Sequence, residues 1–212
     1  MKMYLKGVVV GACKHINLCR KESRKRKIIN ILIDADMLAY RACTICEVEV
    51  DWGNDLWTLN SDLSEAKRIF DENTQTIVNK VLHRSKHTGE YKIIMCFSDM
   101  ENFRYKVLPT YKANRVNKRK PVGYSGLVSW VKDNYNTILY PTLEADDCLG
   151  ILATSLDNCV VVSGDKDLKS IPSTLYNFLS DDYSVITAEQ ADYNHFYQTL
   201  IGDTTDNYTG CP

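Results

Sequence analysis

Ten of the 27 acidic residues of this 212-residue chain fall into short, closely spaced groups: Asp34 with Asp36, Asp99 alone, Glu144-Ala-Asp-Asp147, Asp165-Lys-Asp167 and Asp203-Thr-Thr-Asp206. Any one of them could cap a helix or face its dipole. Three carboxylates within one helical turn, and three close pairs elsewhere, are more crowding than capping needs. Like charges held within about 4–6 Å oppose one another's ionisation unless cations neutralise them. Oxygen-only donors suit Mg²⁺ or Mn²⁺, and two such ions can stabilise the attacking and leaving oxygens of a phosphodiester. The chemistry these residues predict is metal-assisted phosphodiester hydrolysis.

The rest of the chain is basic. Setting the ten acids aside leaves 17 against 26 Lys and Arg, a formal excess of nine positive charges hidden beneath the overall net charge of −1. Aromatics interleave with cations from Asn102 to Arg115 and again toward Lys118-Arg-Lys120. Cations paired with rings suit phosphate contacts and the stacking of an unpaired base. The run Arg20-Lys-Glu-Ser-Arg-Lys-Arg-Lys27 predicts a solvated basic arm, so residues 1–27 are read as an extension and 28–212 as the functional domain.

The acids converge only if the elements between them place them together. Short apolar, β-branched runs at 28–33, 92–97, 137–140 and 159–162, with weaker ones at 175–178 and 183–187, alternate with helical patterns at 37–48, 61–84, 124–134, 144–155 and 188–201. The alternation predicts an α/β fold with a mostly parallel sheet flanked by helices. Each of the first four strands is followed by an acid, and in an open parallel sheet the carboxyl ends of the strands share one edge, where ligands bind.

Other signals read blandly. The eight cysteines are scattered and several lie in apolar runs, so a reducing, intracellular setting is expected and Cys43-Thr-Ile-Cys46 reads as packing. A zinc site joining Cys13, His15 and Cys19 to it matches no familiar spacing. His83 and His87 lack the intervening Glu and third ligand of a metalloprotease. No stretch is long and apolar enough for a membrane span.

Taken together, Ile33-Asp-Ala-Asp-Met-Leu-Ala-Tyr-Arg41, Phe97-Ser-Asp99, Phe103-Arg104, Leu108-Pro-Thr-Tyr-Lys-Ala-Asn-Arg115, Lys120-Pro-Val-Gly-Tyr124, Leu143-Glu-Ala-Asp-Asp147, Val162-Ser-Gly-Asp-Lys-Asp-Leu168 and Ile201-Gly-Asp-Thr-Thr-Asp-Asn207 are specific in order and spacing. They resemble the 5′→3′ exonuclease and flap endonuclease superfamily, most of all the exonucleases of T-odd bacteriophages. The resemblance implies a PIN-like 5′-nuclease fold and hydrolysis of DNA near a free 5′ end or flap, with RNA–DNA hybrids as further substrates, in the cytoplasm of an infected host.

It also implies roles. A first metal position would use Asp34, Asp99, Glu144 and Asp146 with Asp147 alongside, and a second Asp165, Asp167, Asp203 and Asp206, with Asp36 supporting them. Lys112 and Arg115 would steer and polarise the scissile phosphate, while Arg104, Tyr111, Lys118, Arg119 and Lys120 would contact DNA. Members of the superfamily continue past this last motif into a helical element that grips duplex backbone. Ending at Gly210-Cys-Pro212, the sequence is expected to have that element truncated or split off. Two other functions compete: a non-catalytic binder of DNA structures, and a haloacid-dehalogenase-like phosphatase using Asp34 as nucleophile.

Overall fold

The computed structural model describes residues 28–115 and 118–211; the basic run at 20–27 and the Cys13, His15 and Cys19 grouping lie outside them. Strand β1 (Ile29–Asp34) is the centre of a six-stranded sheet. Its sequence, Ile-Asn-Ile-Leu-Ile-Asp, is almost wholly buried, the pattern of a strand covered on both faces. Side chains alternate between two cores. Ile31 and Ile33 join one with Met95, Val160 and Val162, while Leu32 joins the other with Ile94, Cys96 and Val161.

From β1 the chain passes through α1 (Ala35–Cys46), the ribbon β2 (Glu47–Asp51) and β3 (Trp57–Ser61), and α2 (Leu63–Arg84) to β4 (Tyr91–Cys96), which pairs parallel to β1. A short α3 (Arg104–Val107) and α4 (Tyr124–Asn134) lead to β5 (Thr137–Ile138) on the outer side of β4. The chain then crosses back through α5 (Ala145–Ser155) to β6 (Cys159–Val162), parallel to β1 on its other side, and on to β7 (Ser173–Asn177). Antiparallel β8 (Asp182–Ile186) closes that edge, and α6 (Ala188–Ile201) follows.

The resulting order, β5-β4-β1-β6-β7-β8, is the mostly parallel sheet predicted, and it reverses direction around β1. Strands β4 and β6 leave β1 toward opposite edges, and such a switch point opens a crevice at the carboxyl ends of the strands. Helices α1, α2 and α4 cover one face through Leu38, Ala39, Phe70, Val78, Leu127 and Val131, and α5 covers the other through Cys148, Leu149 and Leu152.

The sequence boundaries hold closely except near residue 47. The helix expected over 37–48 ends at Cys46, and the antiparallel β2–β3 ribbon was not anticipated. Glu47-Val-Glu-Val alternates as a strand does, but with its apolar positions exposed or half-exposed the alternation carries no burial signal. The 61–84 helix is unbroken from Leu63, with Asp62 accepting from the backbone of Ser64 and Glu65 as its cap. Cys43 and Cys46 are buried free thiols in the core, as the packing interpretation expects.

Phe70 is fully buried and its ring meets Tyr135 edge-on at 5.8 Å, locking α2 to the end of α4. Phe70→Ala is expected to cost about 3–5 kcal/mol, read as a lower urea midpoint with little change in slope.

Candidate active site

The carboxyl edge carries a cavity of about 220 Å³ at the switch point. Eight carboxylates line it (Asp34, Asp36, Glu144, Asp146, Asp165, Asp167, Asp203 and Asp206), facing three cations, Lys112, Arg115 and Lys166.

Each acid is aimed by its element. Asp34 ends β1 and caps α1, accepting from the Met37 amide at 3.1 Å, while its other oxygen takes a hydrogen bond from the buried Ser163 hydroxyl at 2.8 Å. In the first turn of α1, Asp36 accepts from the Ser98 amide and the Tyr124 hydroxyl, both at 2.7 Å, which ties α1 to the end of β4 and the start of α4. Glu144 and Asp146 enter on the first turn of α5. Beyond β6, the loop through Ser163 and Gly164 carries Asp165, which accepts from the Asp167 amide at 2.9 Å. Asp167 in turn accepts from Gln198 of α6 at 2.8 Å.

The loop Gly202-Asp-Thr-Thr-Asp-Asn207 is stitched to the basic segment by hydrogen bonds to backbone carbonyls, one from a backbone amide and two from asparagine side chains. The Lys112 amide donates to the Asp206 carbonyl at 3.0 Å, Asn114 to the Thr204 carbonyl at 2.9 Å, and Asn207 to the Thr110 carbonyl at 2.9 Å. Lys112 adopts the left-handed region at φ +53°, an uncommon conformation for a side-chain-bearing residue. It turns the ammonium inward, 2.7 Å from Glu144 and 3.8 Å from Asp206. Arg115 stands 3.2 Å from Asp206, and Lys166 lies 3.3 Å from Asp203.

Crowding leaves its mark on the acids. Burial pushes the Asp34 carboxyl up to about 6, with Asp36 and Asp165 adding to the rise. Burial does the same for Asp167, also to about 6, helped by Asp165 and Asp203. Asp146 is driven well above the ordinary carboxylate range by burial and then by Asp34, Asp165 and Glu144, with Lys112 offsetting part of the effect. Among the described residues, no three acids already close around a single point as ligands. The donor set nevertheless suits a hard divalent cation: oxygen ligands, several under-neutralised charges and a cavity open to solvent.

Several residues marked out by the sequence stand outside this cavity. Asp99 spends one oxygen on the Met100 amide and the other on Thr142, both at 2.7 Å, so it clasps the loop after β4 and its carboxyl is held low by those amides; Ser98 lines the cavity instead. Asp147 receives two 2.7 Å bonds from Arg104 and accepts from the Glu144 amide. Burial raises its carboxyl, but the Arg104 guanidinium, the Glu144 amide and Lys112 together outweigh burial and hold it low. Arg104 thus braces α5, which limits it as a DNA contact.

Tyr111 is 8% exposed, and its hydroxyl donates to Glu144 at 2.8 Å, with Asp206 at 3.1 Å. It positions acids, and only part of its ring is open. Arg119 is fastened to Glu47 at the base of the β2–β3 ribbon by bonds of 2.5 and 2.7 Å. Lys118 is exposed, and the exposed Lys120 lies over the Tyr124 ring at 4.5 Å. The sequence left Ser98, Ser163, Lys166 and Gln198 without roles. Ser98, Ser163 and Lys166 had a signal, their place inside the motif stretches, and Gln198 had none. With both oxygens engaged and 5% exposure, Asp34 is poorly placed for attack as a phosphatase nucleophile.

Comparison with known proteins covers most of the described residues. The family model described as 5′-3′ exonuclease, N-terminal resolvase-like domain, matches residues 30–198. An exodeoxyribonuclease of Enterobacteria phage T3 is 31% identical over 196 residues, covering 86% of this chain and 62% of that protein. An exonuclease of Escherichia phage T7 is 31% identical over 194 residues, 85% of this chain and 62% of its own length. A 5′-3′ exonuclease of Buchnera aphidicola is 30% identical over 204 residues. The chain therefore spans a little under two thirds of the phage relatives it matches. In fold it is similar to a T5 5′-exonuclease carrying bound zinc, with TM-score 0.55 and 17% identity over 85% of this chain and 69% of that one.

The raised carboxyl of Asp146 disfavours folding above the pH at which an unfolded aspartate ionises, and the penalty grows until the folded group has itself lost its proton. Asp146→Asn is expected to melt above the parent at pH 7.5 in chelator, by at least about 2–4 °C. The gap should narrow toward pH 4, and saturating Mg²⁺ should stabilise the parent more than the variant; a gap independent of pH would contradict the electrostatic origin.

Proposed function

This chain belongs to the 5′-3′ exonuclease family, matched through its N-terminal resolvase-like domain, and on that premise we propose that it hydrolyses nucleic-acid phosphodiesters from a free 5′ end. The observation that carries the reading is the convergence of eight carboxylates, three of them with raised affinity for protons, opposite a backbone-fixed Lys112. No helix among the described residues is long and apolar enough to cross a membrane, and the inside of a bacterial host is the proposed place of action.

We assign Asp34, Glu144 and Asp146 to one divalent-cation position and Asp165, Asp167, Asp203 and Asp206 to a second. Mg²⁺ or Mn²⁺ bound there would keep the carboxylates ionised and make a coordinated water acidic enough to serve as nucleophile. The chain's own groups do the rest. Lys112 and Arg115, now paired with Glu144 and Asp206, exchange those partners for the scissile phosphate and its developing charge. The Arg104–Asp147 pair holds the start of α5 so that Glu144 and Asp146 stay aimed. Exposed Lys118 and Lys120 offer phosphate contacts further along the strand.

DNA ends, flaps and RNA–DNA hybrids are the proposed substrates. Product sizing on 5′-labelled duplex, flap and hybrid substrates is expected to show shortening from the 5′ end in Mg²⁺ or Mn²⁺ and none in chelator. Asp165→Ala should reduce cleavage to background with nucleic-acid affinity equal or higher, since a repelling charge is gone; parallel loss of binding would count against the assignment. Binding without cleavage by the parent chain would select a DNA-structure binder instead.

Lys112→Ala is expected to slow single-turnover cleavage by about 10²–10³-fold and to lower the salt slope of binding by about one. An unchanged rate would return the segment to a merely solvated face.

A further inference from the structure

Beside the acidic cavity lies a second one of about 350 Å³, and Asp203 and Asp206 form a wall common to both. Its other walls are of opposite character. Phe103, Val107, Leu108 and Tyr208 present apolar surface that is 36–76% exposed, although neighbouring apolar residues of the sheet are fully covered.

The shape is held rather than loose. The Arg104 guanidinium, fixed by Asp147, lies over the Phe103 ring at 4.8 Å and within 5.9 Å of the centre of the Tyr111 ring. Tyr105 meets Tyr111 at 5.8 Å, and the Tyr208 hydroxyl donates to the Thr199 carbonyl at 3.0 Å. A chamber with rings and aliphatic groups on its walls takes a flat, largely apolar body. Arg104, the cation that lines the chamber, is neutralised by Asp147, and Lys112, over the Tyr111 ring at 4.9 Å, reaches into the acidic cavity instead.

A ligand that fits both halves has a flat ring at one end and a phosphate at the other. We propose that this chamber receives the nucleobase of the 5′-terminal nucleotide while the adjoining phosphodiester lies at Lys112 and Arg115. The proposal rests on the nuclease reading above and adds to it a seat for one base. A volume near the lower end of small-molecule pockets, about 300–1,000 Å³, suits a single base. The chamber therefore measures one nucleotide per cut and favours mononucleotide release. Every base has a stacking face, so the seat is indifferent to sequence but not to the presence of a base.

The test compares 5′-phosphorylated single strands that are identical except for an intact or an abasic 5′-terminal nucleotide. Affinity is measured with Ca²⁺ in place of Mg²⁺, and cleavage separately with Mg²⁺. Removing the terminal base is expected to weaken binding about tenfold and to shift the first product from a mononucleotide to longer fragments. Leu108→Trp, which fills the chamber, should bind the two strands equally. Equal binding and identical products by the parent chain, with cleavage intact, would overturn the chamber and leave hydrolysis standing. Base-dependent binding with no cleavage of any strand would uphold the chamber and overturn hydrolysis.

Discussion

Mutual repulsion among carboxylates at the carboxyl edge is the constraint around which this molecule is arranged. A parallel sheet with its switch point at β1 delivers Asp34, Asp165 and, through α5, Asp146 into one cavity. Charges brought so close would push the loops apart or take up protons unless fastened. The fastening is visible in hydrogen bonds that run between segments: Ser163 to Asp34, Ser98 to Asp36, Gln198 to Asp167 and Arg104 to Asp147. Each ties the end of one element to another, so the edge is braced against the field it creates.

The same field explains how the basic segment is held. Tyr111, Lys112 and Arg115 lean on Glu144 and Asp206, and three hydrogen bonds join the segment to the loop carrying Asp203 and Asp206. The left-handed Lys112 is the local conformational cost of that arrangement. These ion pairs are provisional in character, because a phosphate or a divalent cation competes for the same groups. Catalytic sites commonly combine rigid backbone with exchangeable side-chain pairs in this way.

Two kinds of wall meet at Asp203 and Asp206, one charged and one apolar. A polynucleotide is built of the same two materials in alternation, phosphate and base. Their separation within a few residues of one another allows a single loop to serve hydrolysis and the placing of the strand end.

The sequence by itself determined the strands of the main sheet, the long helices and the mostly parallel character of that sheet, because burial on both faces of β1, β6 and the end of β4 forces apolar runs whose identity needs no tertiary information. It also determined the acidic groups, since repeated close pairs have no economical local explanation. It did not reveal the β2–β3 ribbon, whose apolar positions are exposed or half-exposed and so leave no core-facing pattern. Nor could it separate cavity-lining acids from those spent on backbone. Asp99 and Asp147 look like Asp34 and Asp146 in the chain. Whether a carboxylate meets amides and a guanidinium or other carboxylates depends on which distant loop comes to rest beside it, and packing alone sets that.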